Sequence, residues 1–146
     1  MTTHLYFAYG SNLDHEQMAW RCPTAAPIGP AVLEGWSFRI GARGYATVSP
    51  SFEHDAHVWG GLWSLTDADL ASLDRYEGVS GGLYRREVLT LLSPDRDGTP
   101  IDAIVYIENH DDVGSPNDLY LERILVGAET FELPTEWVDL LSTWRA

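Results

Sequence analysis

Two short stretches carry residues able to act on a small molecule. The first is Gly10-Ser11-Asn12, which ends the aromatic run of YFAYGSNL. Three small residues after an apolar strand can simply turn the chain and leave Asn12 or Asp14 to cap a helix. They can also form an anion nest, in which successive backbone N–H groups converge and glycine lets a ligand come close. A nest suits a carboxylate, or a carbonyl oxygen that gains charge during reaction. No Gly-Lys-Ser or Gly-Lys-Thr follows, so this is not a phosphate loop. The second stretch is LDRYEGVSGGLYRREV, in which Glu77 is followed by Gly78, Gly81 and Gly82. A carboxylate where a helix gives out meets the negative end of the dipole, which raises its pKa and improves it as a base. The plain alternative is a solvated glutamate, or one paired with Arg75, Arg85 or Arg86.

Other reactive groups are less well placed. His54 and His57 lie three apart with Glu53 and Asp55 nearby, but this segment leads into a strand, so no metal site is expected. Cys22 is the single cysteine, which excludes an internal disulfide and a thiolate cluster and reads as a buried small residue. There is no Gly-x-Ser-x-Gly elbow for a hydrolase triad. Nine basic against 22 acidic side chains give a formal charge of −13, which repels nucleic acid and anionic membranes but not a small anion held by local donors.

The elements that must position these groups are short and mixed. His4–Tyr9 reads as a strand and Asp14–Arg21 as a helix stopped by Pro23. Ala31–Ser49 reads as two strands that break near Gly41-Ala42-Arg43-Gly44. His57–Leu65 is a strand whose glycine pair suggests a bulge or a close backbone approach. Thr66 caps a helix that ends before Gly78, with Leu70 and Leu73 facing the core. Leu83–Leu92 and Ile101–Glu108 pair around the turn residues Pro94, Asp97 and Gly98. Ser115-Pro116 opens a helix carrying Leu119, Ile124, Leu125 and Ala128, and Thr135 caps a last one carrying Trp137, Val138, Leu141 and Trp144. The six tryptophans read as core, with Trp59 and Trp63 on one strand face. A chain of 146 residues, 45% hydrophobic, fits one α+β domain over residues 1–146. No apolar run reaches membrane-spanning length and no leader is read at the N-terminus, so a cytoplasmic location is expected.

Three blocks, YFAYGSNL, WGGLWSLTDADLASLDRYEGV and SPNDLYLERILVGAETFELP, resemble the γ-glutamylcyclotransferases in order and nearly span the chain. The resemblance implies a small, partly closed mixed β-barrel flanked by short helices. It implies that Tyr6 and the loop Tyr9, Gly10, Ser11, Asn12 and Leu13 bind the substrate's glutamyl end, with Tyr120 near it. It assigns Glu77 the role of acid and base. No cofactor and no metal are implied. The partner is a small γ-glutamyl compound, and the oligomeric state is open, with a homodimer among the options.

The reaction implied is cyclisation of a γ-glutamyl amino acid or γ-glutamyl amine. The substrate's α-amine attacks its own γ-carbonyl, giving 5-oxoproline and the free amino acid or amine. Two other readings stand beside it: a non-catalytic binding or regulatory protein on the same fold, and a cyclotransferase for a larger γ-glutamylated metabolite. Arg21, Arg43, Arg85 and Arg86 are the candidate partners for a second substrate carboxylate.

Overall fold

The computed structural model of the chain describes residues 2–145. In chain order its elements are β1 Thr3–Ala8, α1 His15–Arg21, β2 Ala26–Glu34, β3 Trp36–Ile40, β4 Ala46–Pro50, β5 His57–Thr66, α2 Asp67–Tyr76, β6 Tyr84–Ser93, β7 Thr99–Glu108, α3 Asp118–Thr130 and α4 Thr135–Ser142. A 3-10 turn at Ser11–Leu13 links β1 to α1. Five strands close a mixed barrel in the order β1-β5-β2-β6-β7, and β3 and β4 form a separate hairpin. Neighbours in the barrel run antiparallel except β7 and β1, which meet in parallel where Tyr6 pairs with Ile104.

Closure depends on the glycine pair in β5. Phe7 pairs across the ladder with Leu62, so the two side chains share a face. A β-carbon on Gly60 would collide with the Ala8 carbonyl and lie 2.6 Å from the Phe7 ring. One on Gly61 would lie 2.6 Å from the Phe131 ring, beyond the end of α3. The close approach expected at this pair is therefore present on both faces of the strand.

Most sequence boundaries hold, and the differences have local causes. Ala31–Ser49 holds parts of three strands rather than two, because Gly35, with a left-handed φ of 84°, separates β2 from β3, and β2 begins at Ala26 rather than Ala31, across Pro27, Gly29 and Pro30. Prolines usually demote a strand. Here the register shifts between Pro27 and Gly29, and the bulge accommodates a missing ladder donor. The helix expected at Ser115-Pro116 starts later: Asn117 is the cap, and its side chain accepts the Tyr120 N–H at 2.8 Å. Thr135 is the first residue of α4, not its cap. Leu119 is exposed, and Leu121 takes the core position beside Ile124, Leu125 and Ala128. The tryptophans are not uniformly core. Trp63 and Trp137 are buried, but Trp20 is 71% exposed on the outer side of α1, against Tyr76. No helix among the described residues is long and apolar enough to cross a membrane.

Candidate active site

Glu77 is placed by the end of α2. The helix starts on a complete capping box between Thr66 and Asp69. It ends on a Schellman motif: Gly78 takes a left-handed φ of 64°, its N–H bonds the Arg75 carbonyl at 3.1 Å, and the Val79 N–H bonds the Asp74 carbonyl at 3.0 Å. Glu77 is the cap residue between helix and motif. Its side chain enters a cavity of about 280 Å³. Burial raises its carboxyl to about 7, against the pull of Arg21 and Arg43, which favour the charged form.

The opposite wall is the loop after β1. Gly10, Ser11 and Asn12 line the same cavity as Glu77. The Leu13 N–H is spent on the Gly10 carbonyl at 3.0 Å, and its side chain is fully buried outside the cavity lining. Among the described residues the amides of Gly10, Ser11 and Asn12 have no acceptor. Three amides of the lining loop are thus unspent, not four.

This loop is held from behind. The Asn12 carbonyl accepts from Trp63 Nε1 at 3.1 Å. The Asn12 side chain donates to the Tyr6 hydroxyl at 2.9 Å and accepts from Gln17 at 2.9 Å and Arg21 at 3.1 Å. Asp14 caps α1 through the Gln17 N–H and pairs with Arg123 of α3 at 2.7 Å. Gly127 of α3 packs directly on the Leu13–Asp14 backbone.

Seven tyrosines complete the lining, Tyr45 and Tyr76 among them. Burial first of all pushes the phenols of Tyr6, Tyr9, Tyr84, Tyr106 and Tyr120 well above their ordinary value, so they stay neutral. The Tyr9, Tyr84 and Tyr106 hydroxyls donate to the Tyr106 carbonyl, the Ala46 carbonyl and Asp74 respectively. Tyr6 and Tyr120 instead accept, from Asn12 Nδ2 and the Ala46 N–H, and each keeps its own proton to give. Tyr120 is fixed in α3's first turn by the Asn117 cap three residues before it.

A carboxyl poised near neutrality, unspent backbone amides and neutral phenols around one cavity can move a proton beside a polarised carbonyl. Residues 6–124 match the family described as gamma-glutamyl cyclotransferase, AIG2-like. The chain belongs to this family.

As a member of the gamma-glutamyl cyclotransferase family, the chain is 33% identical over 149 residues to the human gamma-glutamylcyclotransferase, covering 94% of this chain and 76% of that protein. It is 31% identical over 147 residues to the mouse protein of that name, covering 95% and 77%. A solved gamma-glutamyl cyclotransferase structure superposes with a TM-score of 0.88 at 30% identity, over 97% of this chain and 87% of the other. YkqA from Bacillus subtilis shares the fold, with a TM-score of 0.82 at 23% identity, over 98% of this chain and 54% of that one. Relatives this similar across nearly the whole chain support an enzyme of the cyclotransferase type.

The structure brings Tyr6, Tyr9, Gly10, Ser11, Asn12, Glu77 and Tyr120 to one cavity and leaves Leu13 behind it. Two of the four candidate arginines, Arg21 and Arg43, line it, whereas Arg85 pairs with Glu87 and Arg86 with Asp74. Arg43 arrives at the turn of the β3–β4 hairpin, a direction the sequence did not give although it offered Arg43 as a candidate. Gln17, Tyr45, Tyr84 and Tyr106 carried no local signal of a site. Cys22 is buried, its Sγ lies 3.6 Å from the Asp69 carbonyl, and desolvation pushes its thiol up to about 12, which leaves it inert.

Of the two reasons for glycine at position 10, a positive φ or a close approach, the first does not apply, since φ is −114°. Close approach does: a β-carbon there would sit 3.1 Å from Ala46 Cβ and 3.3 Å from the Tyr120 hydroxyl. Gly10→Val is therefore expected to displace Tyr120 and raise KM more than it lowers the melting temperature. Unchanged KM would return the loop to a plain turn.

Proposed function

We propose that this protein cyclises γ-glutamyl amino acids, forming 5-oxoproline and releasing the free amino acid. The observation that carries the reading is a buried carboxyl raised to about 7 that lines one small cavity together with a loop of unspent backbone amides. In this mechanism Glu77 takes a proton from the substrate's α-ammonium. The freed amine attacks the γ-carbonyl carbon, forming the new C–N bond. As the tetrahedral intermediate collapses with loss of the old C–N bond, Glu77 gives that proton to the leaving nitrogen, then relays the attacking nitrogen's second proton to the released amine, leaving a neutral lactam and an ammonium product. Atoms balance without a cofactor. The amides of Gly10, Ser11 and Asn12 take the α-carboxylate or the developing oxyanion, and Tyr6 and Tyr120 supply the remaining donors. The cavity folds the chain so that the amine reaches the carbonyl, which is the larger part of an intramolecular reaction.

Size and charge choose among the readings. About 280 Å³ is at the lower end of ligand pockets and suits a dipeptide-sized substrate better than a larger metabolite. Arg21 and Arg43 line the cavity with Glu77, and an arginine there can take a second substrate carboxylate, which an amino-acid leaving group has and an amine lacks, although Arg43 already has Glu108 as an ion-pair partner. Arg21 is already committed, bonding Asn12 and stacking 4.4 Å above the Tyr76 ring. Arg43 is freer, 3.8 Å from Glu108 and beside the Tyr45 and Tyr84 rings.

The deciding experiment is a product screen for 5-oxoproline with γ-glutamyl amino acids, γ-glutamyl amines and glutathione. γ-Glutamyl amino acids are expected to turn over best. With them, Arg43→Met is expected to raise KM roughly tenfold, the cost of one charge-assisted hydrogen bond, while γ-glutamyl amines respond little. Equal sensitivity of both classes would overturn the role of Arg43, and no 5-oxoproline from any of them would overturn the reaction.

A further inference from the structure

A second cavity, of about 420 Å³, lies between the β3–β4 hairpin, the start of β5 and the first turns of α4. It shares no lining residue with the cavity of Glu77. We propose that it is a binding site for a small organic cation, an ammonium group carrying an apolar body.

Two independent features point to that chemistry. The first is the aromatic wall. Trp36 and Phe38 come from β3, Trp59 from β5 and Trp137 from α4. The Phe38 and Trp137 rings meet edge to face, with centroids 6.1 Å apart and planes at 89°, so the aromatic lining is a packed cluster, with His57 also 6.2 Å from Trp137. Indole faces attract a cation within about 6 Å, and apolar rings also bury the alkyl groups around it.

The second feature is the charge at the rim. Glu53, Asp55 and Glu136 line the cavity, and no arginine does. The chain's nine basic side chains are all arginines, and they lie elsewhere. Asp55 has His54 Nε2 at 3.2 Å, and the His57 ring is turned to the Asp55 carbonyl at 2.7 Å. The rim therefore has carboxylates without permanent counter-charges, on a protein with a formal charge of −13. An anion is repelled, and a neutral apolar molecule leaves the carboxylates unused. A cation with an apolar body satisfies wall and rim together.

The test uses benzyltrimethylammonium as probe, followed by tryptophan fluorescence and by NMR of the indole N–H and backbone amide signals. Saturable binding with shifts at Trp59 and Trp137 is expected. The neutral isostere neopentylbenzene should bind about tenfold more weakly or worse, given the strength of cation–π contacts and the rim charge. Glu53→Gln combined with Glu136→Gln changes two exposed side chains, so the fold should survive while affinity falls about tenfold. Glu77→Gln should bind the probe as the parent does, which separates this site from the proposed reaction. No saturable shift, equal binding of the neutral isostere, or shifts at Ser11 and Tyr120 instead would each overturn the proposal. So would a solution dimer that covers Trp59 and Leu140.

Discussion

Glu77→Gln is expected to turn over a γ-glutamyl substrate at least about 10²-fold, and up to about 10⁴-fold, more slowly than the parent, the usual worth of a general acid–base group. Glutamine keeps the shape and gives up the proton. The same residue predicts where the parent's activity falls with pH. Burial holds the Glu77 carboxyl near 7 instead of 4.5, and only the ionised form is a base. The acid limb of kcat/KM should therefore have its midpoint near 7.

The stability consequence has the opposite sign to that of a paired carboxylate. The folded pKa is raised, so folding is favoured below the unfolded value and the advantage is lost as pH rises through about 7. At pH 8 the parent holds a desolvated charge that the variant lacks. Glu77→Gln should then be more stable by on the order of 1–3 kcal/mol, with the difference vanishing near pH 4. For a chain of this size that is several degrees of melting temperature. A variant that is slow but no more stable at pH 8 would mean that the carboxyl is not desolvated. Activity within tenfold of the parent, or an acid limb near 4.5, would remove Glu77 from the mechanism.

How much of this was legible in the sequence depended on whether the signal was local. Glycine after a helix is local chemistry, and Gly78 does end α2 and set Glu77 at its cap. The β3–β4 break at Gly41-Ala42-Arg43-Gly44 is local too. That its turn would carry Arg43 into the cavity was not legible, because the direction of a hairpin depends on what it packs against. The tyrosines behaved likewise. Tyr84 and Tyr106 read as ordinary strand residues, and only barrel closure turns them toward Glu77. β2 was cut short because proline and glycine speak against a strand, and only pairing with β5 reveals the bulge that admits them. Trp20 was misplaced for a related reason: composition favours burial of tryptophan, but the outer side of a short helix leaves it in solvent. The family resemblance supplied what local chemistry could not, the pairing of Glu77 with a loop from the other end of the fold.

Gly127→Ala carries the other large effect, and two physical terms disagree about its sign. In the interior of α3, alanine is favoured over glycine by about 1 kcal/mol of helix propensity. Propensity alone predicts a more stable protein. But Gly127 is where α3 lies against the back of the Gly10–Leu13 loop. A β-carbon there would collide with the Leu13 carbonyl carbon and sit 2.5 Å from the Asp14 nitrogen, both of them backbone atoms. Backbone cannot rotate away as a side chain can, so helix and turn must separate. Overpacking typically costs about 1–3 kcal/mol, enough to cancel the propensity gain and usually to exceed it. The Asp14–Arg123 pair, 2.7 Å long across the same contact, is strained by the same separation. Function should suffer more than stability. The loop's amides and the Glu77 carboxyl must meet one substrate, and a displacement near 1 Å can cost about 10²-fold in rate. Gly127→Ala is thus expected to melt at or below the parent's temperature and to lose about 10²-fold in kcat/KM, although it touches no substrate. A variant that melts higher and retains full activity would show that α3 does not hold the loop, and that the position of the site is set from the barrel side alone.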